Sequence, residues 1–72
     1  MRQTEVNEVF NKIMPDSSTY SGQISKVNNL KHGFGTQTWP DGARYVGNWR
    51  LGQAFGHGQF IHINGDVFEG NF

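Results

Sequence analysis

The chain contains no cysteine, which excludes disulfides, thiolate nucleophiles and thiolate metal ligands and leaves the redox compartment open. It lacks an excess charge of either sign. Six basic and six acidic residues give a formal net charge of zero, so bulk electrostatics offers no attraction to nucleic acid or to an anionic membrane. No apolar run approaches the roughly 20 residues of a membrane-spanning helix, and the N-terminal stretch has no secretory apolar region. The expectation is a soluble intracellular protein. Length is scarce too: a chain of 72 residues buries only about 60% of its unfolded surface, so its core is thin. What the chain has in quantity is glycine, ten residues, and aromatic residues: two Trp, two Tyr and six Phe. Glycine at this density without a collagen period means many turns, with rings supplying the buried area.

These two residue types are not scattered. Tyr20-Ser21-Gly22-Gln23-Ile24, Tyr45-Val46-Gly47-Asn48-Trp49 and Phe68-Glu69-Gly70-Asn71-Phe72 share an aromatic–x–Gly–x–apolar pattern. Tyr45 follows Tyr20 by 25 residues, and Phe68 follows Tyr45 by 23. A repeat at this period describes an array of supersecondary units, and such arrays make extended binding surfaces.

Residues 1–15 read differently. Val6, Val9, Phe10, Ile13 and Met14 fall on one face of a helix, with Thr4 as N-cap and Glu5 as an acid in the first turn. Pro15 disfavours helical geometry at Met14, so the helix is expected to end near Ile13. Residues 16–19 read as a polar linker. From Tyr20 the pattern turns to strands over 20–25, 33–39, 44–50, 56–63 and 66–72. Pro40-Asp41-Gly42 is a strong turn, and Asn64-Gly65 reads as a two-residue hairpin turn. Successive strands joined this closely pair antiparallel. The expected fold is mainly β: an antiparallel single-layer meander of about five strands preceded by a short N-terminal α-helix, with units at 20–44, 45–67 and a partial one at 68–72.

Strand parity puts Tyr45, Gly47 and Trp49 on one face and Val46, Asn48 and Arg50 on the other. The glycine leaves a slot between two rings, and a ring from a neighbouring strand is expected to fill it. Trp39, Phe60 and His62 on the returning strands are the ring donors.

Tyr45, Gly47, Trp49, Gly52, Gly56, Gly58 and Gly65 together resemble the MORN repeat at all seven of its positions. The first unit fits at Tyr20, Gly22, Gly33, Gly35 and Gly42. It departs in having Ile24 as its second ring position and two extra residues in a loop without glycine. The resemblance covers Tyr20 to Phe72. It implies a curved single-layer sheet of hairpins, whose units form MORN β-hairpins with an aromatic groove. It also implies scaffold or protein-binding roles beside cytoskeletal, ciliary or membrane-contact proteins, and phosphoinositide binding as proposed for the family.

Candidate chemistry is sparse. Gly33-Phe34-Gly35 and Gly56-His57-Gly58 lack the third glycine, the Lys-Ser/Thr end and the following helix of a phosphate loop. His32, His57 and His62 have no cysteine or carboxylate pair to complete a metal site. Asp16, Asp41 and Asp66 have local backbone roles in and around turns. Lys26, Lys31, Arg44 and Arg50 are interspersed with Asp41, Asp66 and Glu69 and read as a solvated face. No catalytic, cofactor or metal residues are expected.

The candidate partner-binding set is therefore aromatic: Tyr20, Trp39, Tyr45, Trp49, Phe60, His62, Phe68 and Phe72. Two readings stand side by side, a core covered by the N-terminal helix and an open groove. Both hold if the helix covers one end only. The expected function is a non-catalytic protein–protein interaction or scaffold module in a larger assembly. It takes a partner's apolar helix in the groove, or adds a strand at 68–72, where a third unit begins without its return strand. Self-association is one source of that cover. The alternatives are an anionic-lipid surface module and a regulatory segment of a longer enzyme.

Overall fold

The computed structural model describes residues 6–72, which form one six-stranded antiparallel sheet with the strands in chain order. The strands are β1 (Val6–Ile13), β2 (Thr19–Ser25), β3 (Lys31–Thr38), β4 (Arg44–Arg50), β5 (Gln53–Ile61) and β6 (Val67–Asn71). The molecule is a single layer of 44 × 25 × 14 Å. Its core lies on one face: Tyr20, Ile24, Tyr45 and Trp49 are buried there, with Val9, Met14, Trp39, Ala54 and Phe60 packed against them.

The meander is as expected, but the N-terminal helix is not: the described residues contain no helix, and the strands number six rather than five. Val6–Ile13 pairs with β2 instead. Thr4 and Glu5, read as its cap and first turn, lie outside the described residues. The physical reason has two parts. Val, Ile, Phe and Asn are weak helix formers, and a short helix is marginal alone, whereas the outer edge of β2 offers a full ladder of backbone partners. The helix-like spacing comes from a bulge. Val9 pairs with Gly22 but Lys12 pairs with Tyr20, so one extra residue breaks the two-residue alternation. Asn11 carries a φ of 55° in that bulge, and its N–H donates to Ser21 Oγ at 2.9 Å. The apolar stripe is thereby split. Val9 and Met14 reach the core, while Phe10 and Ile13 remain 73% and 76% exposed.

Three turns close the hairpins in the same way. The Met14 N–H donates to Ser18 O (2.8 Å) and the Ser17 N–H to Met14 O (2.9 Å). Trp39 to Ala43 and Gly42 to Trp39 repeat this at 2.9 and 2.9 Å, and His62 to Asp66 and Gly65 to His62 at 2.8 and 2.9 Å. In each, a side-chain oxygen accepts the N–H two residues on: Asp16 from Ser18 (2.9 Å), Asp41 from Ala43 (3.0 Å) and Asn64 from Asp66 (3.0 Å). The residue after it takes positive φ: Ser17 at 73°, Gly42 at 100° and Gly65 at 94°. These are three-residue loops, so Ile63 joins Asn64 and Gly65 and the last turn is not a two-residue one. By the same correspondence β1 and its turn have the form of a return strand. Val9, Lys12 and Met14 stand where Gly35, Gln37 and Trp39 stand one unit later.

Ser17 is the one turn residue of the three that bears a Cβ in left-handed geometry. Ser17→Gly is expected to raise stability in urea denaturation by up to about 1 kcal/mol, and Gly42→Ala to lower it by about 1 kcal/mol or more. Equal effects of the same sign would contradict the correspondence of the turns.

Candidate functional site

The site is built on a strip of backbone without side chains. Gly22 lies opposite Gly35, Gly35 opposite Gly47, Gly47 opposite Gly58, and Gly58 opposite Gly70, which takes the strip across β2 to β6. The Tyr20 and Tyr45 rings lie on it. A Cβ at Gly35 would stand 2.5 Å from Tyr20 Cζ, and one at Gly58 2.5 Å from Tyr45 Cζ. Each hydroxyl reaches past its own glycine to donate to a backbone carbonyl three residues ahead. Tyr20 Oη reaches Gln23 O at 2.7 Å, and Tyr45 Oη reaches Asn48 O at 3.0 Å. The slots at Gly22 and Gly47 are thus filled by the tyrosine of the same strand, which also covers the glycine opposite, and not by a ring from a returning strand. The tyrosine is two residues away, and its length and terminal hydroxyl suit a flat lie along the strand.

The G-x-G pair divides its labour. Gly35 and Gly58 form the floor. Gly33 (φ 93°) and Gly56 (φ 74°) sit in bulges, where β3 and β5 spend four residues against two on β2 and β4. Side chains of the first strand clamp both bulges: Gln23 Oε1 accepts the Phe34 N–H (2.8 Å), and Asn48 Nδ2 donates to His57 O (3.2 Å).

With the tyrosines laid flat, the second ring positions fit between units. Trp49 stands edge-to-face against Tyr20 (5.7 Å between centroids) and Tyr45 (4.9 Å), and its indole N–H donates to Gly35 O at 3.1 Å. Phe72 continues the chain against Tyr45 (5.0 Å) and Phe68 (5.4 Å). A second row runs beside it, Trp39 against Phe60 (5.8 Å) and Phe60 against His62 (4.6 Å). Between the rows lies a groove of about 490 Å³, whose apolar lining is Trp39, Tyr45, Trp49, Ala54, Phe60 and Phe72.

One end of this groove is polar. Gln37, almost fully buried, occupies in the first unit the place of Phe60 in the second. Its Nε2 donates to Ser18 Oγ (2.5 Å), the Ser18 hydroxyl donates to Asp16 Oδ1 (2.5 Å), and Lys31 Nζ donates to Gln37 Oε1 (2.7 Å). The two Ser18 hydrogen bonds hold the Asp16 carboxyl below its usual pKa. Burial lowers the Lys31 pKa, and the Asp16 charge acts in the opposite direction.

The eight sequence-selected residues share one face, but they do not form one surface. Tyr20, Tyr45 and Trp49 are buried core; Trp39 and Phe60 are half-buried walls; His62, Phe68 and Phe72 are exposed. Beside them stand Gln37, Ser18, Asp16 and Lys31; the lysine, expected on a solvated face, instead lies in the groove on the Trp49 ring. Their signal lay in comparing units position by position: Ser18 stands at the place of Ala43, Gln37 at that of Phe60 and Lys31 at that of Ala54. The histidines do not converge. His57 Nε2 lies 3.2 Å from Glu69 Oε2 on the face opposite the groove, and His62 makes a tilted ring contact with Phe60. No cluster of His, Asp or Glu suited to a metal occurs among the described residues.

Two outcomes follow from the ring-on-glycine contact. Gly58→Ala is expected to cost about 2–3 kcal/mol in denaturant unfolding, and the Tyr45→Ala/Gly58→Ala pair to cost less than the sum of the singles. Strict additivity would show that ring and glycine do not touch. Burial also pushes the Tyr20 hydroxyl up to about 12, from an ordinary value near 10, and raises that of Tyr45. A raised folded-state pKa means the unfolded chain releases the proton first. The stabilisation is complete below about pH 10 and lost as pH climbs through about 12. Unfolding midpoints measured across that window should fall, and Tyr20→Phe should flatten the slope.

Comparison with known proteins agrees with this geometry. The profile of the MORN repeat matches residues 20–44 and 45–67. Alsin from Homo sapiens, Mus musculus and Rattus norvegicus is 38% identical over 63 residues, an alignment covering 81% of this chain and 4% of alsin. The chain thus spans a small fraction of the curated relatives it matches. With two matched units on the sheet whose glycine strip and flat tyrosines repeat in step with them, the chain belongs to the MORN-repeat family.

Proposed function

We propose that this sheet is a non-catalytic protein-interaction module whose groove takes an apolar segment of a partner protein. The observation that supports the reading is the groove between Trp39, Ala54, Phe60 and Phe72. Its walls are half-exposed rings already fixed edge-to-face, so a partner orders few side chains on binding. An extended or helical apolar segment has the shape for such a trough.

Two other modes are weaker on the same face-by-face reading. A lipid surface gains roughly 1 kcal/mol per basic residue near it, but Lys31 lies on the groove face while Arg44 and Arg50 lie on the opposite one. They do not share a patch. Strand addition at β6 has firmer ground. Gly56 and Phe72 exchange both backbone hydrogen bonds (2.9 and 3.4 Å), so by antiparallel alternation Val67, Glu69 and Asn71 turn their backbone groups away from β5.

A random-peptide display library selected on the whole chain separates these modes. Groove binders should lose about tenfold or more in affinity on Phe60→Ala, equivalent to about 1.4 kcal/mol. They should be unaffected by Asn71→Pro, which removes an outward N–H without touching the ladder to β5. Peptides indifferent to Phe60→Ala and lost on Asn71→Pro would move the site to the edge.

A further inference from the structure

The groove is not electrically neutral along its length, and the charge inside it is incompletely partnered. Lys31 stands at the first-unit place of Ala54: Lys31 pairs with Ile24 as Ala54 pairs with Trp49. Its Nζ lies 4.3 Å from the centroid of the Trp49 ring and 5.9 Å from that of Tyr20, so its stem and head rest on the aromatic floor. An ammonium has three N–H donors. Gln37 Oε1 accepts one, at 2.7 Å, and no other described residue accepts a second. Asp16 at the rim is turned toward the Ser18 N–H and hydroxyl and makes no ion pair with Lys31.

In the free protein water can serve the remaining donors. A purely apolar occupant would seal them off, and an ammonium buried with unpaired donors is strongly disfavoured. An occupant that closes the groove must bring an acceptor to Lys31, and a carboxylate also supplies the opposite charge. Asp16 at the rim disfavours a second acid beside the first. A multiply charged phosphate headgroup meets one cation, a rim carboxylate and a trough of rings, a poor match.

Resting on the groove reading above, we propose that the occupant is an apolar protein segment bearing one acidic side chain, whose carboxylate pairs with Lys31 Nζ. The first unit thereby reads the acid, while the second unit, with Ala54 and Phe60 at the matching places, reads apolar bulk.

The test is selection of a random-peptide display library on the whole wild-type chain and on Lys31→Met and Lys31→Glu, each first shown to be folded by circular dichroism. Lys31→Met keeps the unbranched stem over Trp49 and removes the charge together with the Nζ–H donor to Gln37 Oε1. Wild-type binders sensitive to Phe60→Ala should share one Asp or Glu among apolar residues. Changing that residue to Asn or Gln should weaken binding about tenfold on wild type and little on Lys31→Met, a coupling of about 1.4 kcal/mol. Lys31→Glu should instead enrich Lys or Arg at the same place. Groove binders with no acidic residue, or with an acid whose loss costs the same on Lys31→Met, would overturn the proposal and leave the groove reading standing. If no binder responds to Phe60→Ala, the groove reading falls and this proposal with it. Binding to phosphoinositide-containing vesicles that vanishes in Lys31→Met would assign the ammonium to a lipid phosphate and also overturn it.

Discussion

A tyrosine ring lying flat on a pair of cross-strand glycines is the contact from which the rest of this sheet follows. Tyr20 covers Gly22 and Gly35, and Tyr45 covers Gly47 and Gly58. A single-layer sheet has no second layer to shield one face, so burial must be found within the layer itself. Laying the ring down solves this locally. It removes apolar area from water, satisfies the phenol at a carbonyl three residues on, and ties two strands at one register. It also dictates which residues are tolerated. A Cβ at Gly35 or Gly58 would lift the ring above it, and a lifted ring would leave Trp49 and Phe72 without the edges they pack against. At the bulges of Gly33 and Gly56 each return strand then spends two extra residues against its partner beyond the strip.

Because each unit repeats the same backbone, differences between units appear as differences in chemistry along one groove. The second unit contributes Ala54 and Phe60, with Ala43 just before it. The first contributes Lys31 and Gln37, with Ser18 just before it, joined by hydrogen bonds that run from the lysine to Asp16. A buried polar chain of this kind is stable only if its members are satisfied, and each of its internal links is made. A repeat sheet can therefore carry position-specific recognition without any change of fold.

Much of this was legible in the residues. The period and the aromatic face followed from Tyr, Gly and Trp spacing, the turn from Pro40-Asp41-Gly42 itself, and the antiparallel order from the short connections. The N-terminal segment was not legible because it has diverged at the informative places. Val9 replaces a strip glycine, Met14 a tryptophan and Ser17 a turn glycine, and the bulge at Asn11 restores a spacing that imitates a helix. Met14-Pro15-Asp16 beside Trp39-Pro40-Asp41 was the surviving signal, one offset of 25 residues away.

By itself the sequence determined the repeat, its period and the hairpins, because glycine at a close approach and glycine at positive φ are requirements that few other residues meet. It also determined that the rings of Tyr20, Tyr45, Trp49, Phe68 and Phe72 would share one face, since strand parity is local. Only the tertiary structure decided which ring lies on which glycine, for that depends on the register of strands brought together from different parts of the chain. The same is true of the edge of β2, which recruited Val6–Ile13 as a strand because pairing supplies backbone partners that an isolated short helix cannot match. It is true as well of Lys31, whose neighbours Trp49, Gln37 and Tyr20 converge only when three strands are in place.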